Sequence, residues 1–135
     1  MKANGEFPLV EQSAKGLGVR LGHPGAKDVD IPSNEAGQVL PRTGGMSVVP
    51  AWRHLPYFRI PSRLQDRCAK ATGSNNLHCW RWGDGDFNDQ EVSNDLSLRV
   101  DSANHGLIEP SRAMSVIAYA AALASTRSNW IIDEA

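Results

Sequence analysis

Three side chains in this sequence could act on one substrate together: Ser47, His105 and Glu109. Ser47 follows Gly44 and Gly45, residues without a Cβ that let a second backbone or a ligand come close. A histidine near such a hydroxyl serves as a base or a hydrogen-bond partner. Glu109 lies four residues after His105, so in an extended strand both side chains fall on one face. A carboxylate there holds the imidazole ring or stabilises a cationic transition state; a surface pair ahead of a helix is the plainer alternative. The G-x-S-x-G elbow is missing, which argues against acyl transfer by the serine.

A second group mixes aromatic and basic residues. Trp52, Arg53, His54, Tyr57, Arg59, Arg63, Arg67, Trp80, Arg81 and Trp82 interleave along two stretches. Such a mixture stacks a nucleobase and clamps phosphates. The alternative is aromatic anchors that fix loops to the core with their polar tips outside. No metal site is expected. His23, His54, His78, His105, Cys68 and Cys79 lack the paired spacing of zinc ligands. The acidic run GDGDFNDQE lacks the ligand order of a calcium loop.

These residues must be positioned by short strands. Alternating pieces at 16–22, 28–32, 37–41 and 45–49 read as strands between Gly and Pro turns. Pro50 ends the fourth, because proline has no amide to donate. Residues 50–64 read as a loop with aromatic anchors. Residues 69–95, rich in Gly, Asn and Asp, read as an inserted surface loop around a strand at 77–82. Residues 96–101 alternate cleanly, with Leu96, Leu98 and Val100 on one face, and 105–110 form a further strand. A helix follows, with Ser115 as N-cap and Tyr119, Leu123, Thr126 and Trp130 as its buried face. The expected fold class is α+β: a short-stranded β-core closed by a C-terminal amphipathic helix, in one domain over residues 1–135.

Bulk numbers bound the function. Fourteen Lys and Arg against 15 Asp and Glu give a net charge of −1. That balance makes an unspecific nucleic-acid binder the least favoured reading. No apolar run is long enough to span a bilayer, and no secretory signal is visible. The expectation is a cytoplasmic protein, or one delivered into a target cell without a cleavable signal. The cysteine spacing is compatible with one bridge, or with two reduced thiols.

Two segments, DIPSNEAGQVLPRTGGMSV at 30–48 and LRVDSANHGLIEPSRAMSVIAYAAALASTRSNW at 98–130, together resemble a known family. Their order and spacing are similar to the Tse-two family of NAD-dependent toxins delivered by type VI secretion, which have an ADP-ribosyltransferase-like fold. The shared skeleton is Asp30-Ile31, Gly37, Pro41, Thr43-Gly44-Gly45 and Ser47-Val48. It resumes at Leu98, Val100, Asp101-Ser102, His105, Ile108, Pro110, Met114, Tyr119, Leu123, Arg127 and Trp130. The resemblance implies a split β-core that grips NAD as substrate. Its important serine falls on Ser47 and its important histidine on His105, while Glu109 supplies a carboxylate. Gly44 and Gly45 would border the cofactor, Arg20 or Arg53 would hold its phosphates, and Trp52 or Tyr57 would stack its rings. The resemblance also implies an unknown target macromolecule and a cognate immunity protein. Met46 stands where the family has threonine, which favours the alternative: a non-catalytic nucleotide- or protein-binding module on the same fold.

Overall fold

The computed structural model describes residues 1–11, 16, 19–22 and 29–135. The first strands are short. β1 (Ala3–Asn4) pairs antiparallel with β2 (Phe7–Pro8), and β3 (Leu21–Gly22) runs parallel to β4 (Ile31–Pro32). The expected strands at 16–22 and 28–32 are thus two residues long within the described residues. Residues 17, 18, 23 and 28, with His23 among them, lie outside those residues.

Further along the chain are β5 (Gln38–Val39), β6 (Met46–Val48), β7 (Trp80–Trp82), β8 (Gln90–Ser93), β9 (Leu96–Ser102), β10 (His105–Pro110) and β11 (Met114–Ser115). The helix α1 (Val116–Ser125) and β12 (Trp130–Ile132) complete the order. One antiparallel sheet dominates, in the order β6-β10-β9-β8. β5 pairs with β11, and β7 with β12. The architecture is mixed α+β, with several small sheets and one short helix.

The sheet forms where side chains alternate. Leu98 pairs with Ile108, and Ile108 with Met46, so these apolar residues share the inner face. Arg99 pairs with Leu107, and Leu107 with Ser47, on the outer face. The β9–β10 register shifts between His105 and Gly106, leaving Asp101 as an extra residue opposite the turn. The inner face buries Leu96, Leu98, Ile108 and Met46 against Tyr119, Ala122 and Leu123 of α1. Tyr119 is fully buried, and its hydroxyl donates to the Ile108 carbonyl at 2.6 Å. That bond answers the one polar atom which the ring brings into the core.

Ser115 caps α1 as expected: its Oγ accepts from the Ala118 amide at 3.0 Å. The helix is shorter than the spacing of Tyr119, Leu123, Thr126 and Trp130 suggests. It stops at Ser125, a 3₁₀ turn follows at Arg127–Asn129, and Trp130 opens β12. The Ser125 and Thr126 hydroxyls bond back to the carbonyls of Ala122 and Leu123. Such local bonds compete with the helical ladder and end it there. Residues 50–64 are no open loop. Three 3₁₀ turns, Trp52–His54, Tyr57–Arg59 and Ser62–Leu64, cover a second small core of Ile60, Leu64, Ala71 and Cys79. Among the described residues no helix is long and apolar enough to cross a membrane.

Candidate functional site

An open cleft of about 950 Å³ runs along the inner face of the main sheet. Met46 and Val48 of β6, Ile108 of β10 and Leu98 of β9 line one side. Trp80 and Trp82 of β7 and Trp130 of β12 line another. The 3₁₀ segment contributes Trp52, Arg53, Phe58 and Arg59, and Phe87 comes from the loop before β8.

The aromatic rings are held in place. The Trp80 indole N–H donates to the Met1 carbonyl at 2.9 Å, and the Trp52 indole N–H donates to a main-chain oxygen of Ala135 at 3.1 Å. The Trp82 ring packs on Trp130, with centroids 5.5 Å apart and planes tilted by 43°. β7 alternates Trp, Arg, Trp, so both tryptophans present the same face.

The basic groups differ in what they already hold. Arg81 is neutralised by Asp84 and by Asp133, whose Oδ2 lies 2.9 Å from its Nε. Arg20 is paired with Asp30 at 3.2 Å. Arg53 and Arg59 have no carboxylate partner among the described residues. Their guanidinium groups lie over rings instead, Arg53 at 4.4 Å from the Trp52 centroid and Arg59 at 4.9 Å from that of Phe58. Asp84 and Asp86 stand at another part of the lining. The cleft therefore combines stacking planes with two uncommitted guanidinium groups and separate carboxylates.

The sequence-selected residues divide between two places. Arg20, Ser47, Trp52 and Arg53 line the cleft. Gly44, Gly45, Tyr57, His105 and Glu109 do not. Ser47 is exposed on the edge strand, and it pairs with Leu107, so its side chain shares the outer face with His105 and Glu109. Ser47 and His105 are diagonal neighbours on adjacent strands, a relation that separates Cα atoms by roughly 7–8 Å. They lie side by side on one sheet face rather than opposite each other across a pocket.

On that outer face His105 Nδ1 is 2.7 Å from Asp101 Oδ1. A carboxylate only accepts, so Nδ1 carries a proton, and in the neutral ring Nε2 is the acceptor. Glu109 is buried, and its Oε2 accepts from Arg99 Nε at 2.9 Å and from the Arg42 amide at 2.9 Å. Gly44 and Gly45 serve the packing of backbones. A Cβ on Gly44 would sit 2.2 Å from the Asp30 carbonyl oxygen, and one on Gly45 would sit 2.4 Å from that of Ile108.

Several lining residues escaped the sequence-based choice. Arg59, Trp80 and Trp82 belonged to the interleaved aromatic and basic series, but nothing in their spacing brings two separated stretches to one cleft. Phe87 lay within the acidic turn. Asp101 had a readable signal: it precedes His105 by four residues across a tight hairpin turn.

Both cysteines are free. Burial pushes the Cys79 thiol up to about 11, with the Glu134 charge adding to the effect. A thiol so raised stays protonated and unreactive at neutral pH. No cluster of three or more metal-ligating side chains occurs among the described residues. Comparison with protein-family models and with curated proteins finds no match for this chain.

Proposed function

We propose that this chain is a small toxin of ADP-ribosyltransferase-like type that takes NAD as substrate in the tryptophan-lined cleft. The observation that carries the reading is the pair Arg53 and Arg59, uncommitted to any described carboxylate and set beside fixed aromatic planes. A forked guanidinium matches a pyrophosphate, and indole rings stack on nicotinamide or adenine. The resemblance in the serine and histidine segments supports the same substrate.

The chemistry that this reading requires is one displacement at the ribose. The bond from C1′ to the nicotinamide nitrogen breaks, and its electron pair leaves with nicotinamide. A nucleophile, water or a group on a target macromolecule, then bonds to C1′ and gives up a proton. The transition state is cationic at the sugar and is stabilised by a nearby negative charge or dipole. His105 stands outside the cleft on the outer sheet face, so that proton goes to solvent or to a carboxylate of the lining such as Asp86. As a toxin the chain would be accompanied by an immunity protein in the cell that makes it.

A second reading, a binding module without catalysis, is favoured by Glu109, which is buried and already satisfied by Arg99 and Arg42. One experiment separates the two. Purified protein is titrated with NAD by tryptophan fluorescence, and nicotinamide release is followed over time. The toxin reading expects saturable quenching and release, both cut at least tenfold in the double variant Arg53→Ala/Arg59→Ala, with release alone cut in Asp86→Asn and neither changed in His105→Ala. Quenching without release supports the binding module. No quenching by NAD at all overturns the cleft as a dinucleotide site.

A further inference from the structure

Among the described residues, the two most exposed large aromatic rings sit together, on one wall of the cleft and just beyond it. Phe58 is 59% exposed and Tyr57 is 47% exposed, and both belong to one 3₁₀ turn. Each carries a cation. Lys70 Nζ lies 5.6 Å from the Tyr57 centroid, and Arg59 lies over Phe58. Trp52 repeats the arrangement with Arg53. We propose that this surface binds a single-stranded nucleic acid, with bases stacked on Tyr57 and Phe58 and phosphates held by Arg53, Arg59 and Lys70.

Charge supports the assignment. Residues 52–70 carry five Lys or Arg against one Asp, in a chain whose total is 14 against 15. The near-neutral sum thus conceals a basic lobe on an otherwise acidic molecule. Net charge weighs against unspecific binding, but local charge sets where a polyanion lands.

Rigidity supports it as well. The tip is fastened by the Thr72 amide to the Tyr57 carbonyl at 2.9 Å and by the Gly73 amide to the Ile60 carbonyl at 2.8 Å. Ile60 beneath it is fully buried. Rings held out into water on a fixed turn lose little further freedom when a ligand stacks on them. An acidic protein segment would use the cations alone and leave two planar apolar rings unexplained. A duplex hides its base faces, so a single strand is the polyanion that uses both features. The inference does not rest on NAD chemistry in the cleft.

The test is fluorescence anisotropy with a labelled oligouridylate of roughly a dozen nucleotides. Three phosphate contacts predict that affinity falls about 20-fold between about 50 and 200 mM salt. Tyr57→Leu should weaken binding at least about fivefold, whereas Tyr57→Phe keeps it, because only the first removes the ring. Lys70→Gln should flatten the salt dependence. These residues are exposed, so loss of fold does not cloud the comparison. Affinity equal for Tyr57→Leu and wild type overturns the proposal. So does displacement of the oligonucleotide by polyglutamate at equal charge, which would make the lobe a dock for acidic proteins. Failure of wild type to bind at low salt overturns it as well.

Discussion

Glu109 and Ser47 occupy the same sheet face, yet their surroundings assign them different work. Glu109 is 7% exposed, and one of its oxygens receives both the Arg99 guanidinium and the Arg42 amide. Those bonds tie the turn at Arg42, where φ is 65°, to the middle of the main sheet. Removing the carboxylate leaves a largely buried guanidinium and an amide without acceptors. Glu109→Ala should therefore cost about 2 kcal/mol, the range for hydrogen bonds to a charged group lost at a site with some solvent access. Ser47 is exposed on an edge strand, and Ser47→Ala should stay within about 0.5 kcal/mol of wild type. Urea unfolding of the two variants measures both values. An unchanged midpoint for Glu109→Ala would show that the carboxylate is available for chemistry after all. With the expected result, lost activity in Ser47→Ala reports on the reaction, whereas lost activity in Glu109→Ala reports first on the fold.

Elements were legible where one periodicity ran undisturbed. β9 alternates apolar and polar side chains along its length, and both it and β10, a shorter run between turn residues, formed at the expected place. α1 began at its serine cap, but its end was hidden, since Thr126 and Trp130 keep helical spacing while being buried by a turn and a strand. β8 was read as surface loop because its sequence, QEVS, offers one apolar residue on an edge strand. The 3₁₀ turns carry no period to read. Ser47 and His105 could be selected, but their side-by-side register depends on β6 pairing with β10, a contact between segments far apart in sequence. The Gly44-Gly45 pair makes that register possible. The Gly45 amide donates to the Asp30 carbonyl at 3.0 Å while its Cα faces the β10 backbone. With φ at +156° and 2.4 Å to the Ile108 oxygen, a methyl group has no room unless a strand moves. Gly45→Ala should lower stability by more than about 1 kcal/mol. It should also speed amide exchange more in β6 than in β9–β10, as read by hydrogen exchange. Uniform loss of protection across the sheet would instead mean that β6 is not a separable edge.

At the scale of the molecule, the cleft is bounded by two cores, and a few polar ties join them. The main core lies under α1, while the smaller core of Ile60, Leu64, Ala71 and Cys79 lies under the 3₁₀ turns. Glu134 links the smaller one to the β7–β12 pair. Arg63 grips it with both terminal nitrogens, at 2.6 and 2.7 Å, and the Cys79 amide donates to it at 3.2 Å. His78 Nδ1 stands 3.4 Å away. The hydrogen bond from Arg63 is the leading cause that holds the Glu134 carboxyl below the usual glutamate range, and the Cys79 amide reinforces it. A carboxyl with a depressed folded pKa stabilises the fold fully above its unfolded value, about 4.3. That stabilisation is lost as pH falls through the lower folded value, because the unfolded chain binds the proton first. Wild type should therefore be more stable than Glu134→Gln at pH 7, and the gap should narrow as pH falls below the unfolded value of about 4.3. Denaturant midpoints at several pH values measure it, and a gap independent of pH would mean that the charge on Glu134 contributes nothing. Because that tie holds Cys79, next to Trp80, close to Ala135, which accepts from the Trp52 indole, NAD-dependent quenching should weaken along with it. A cleft that kept its affinity in Glu134→Gln would be held by the two cores alone.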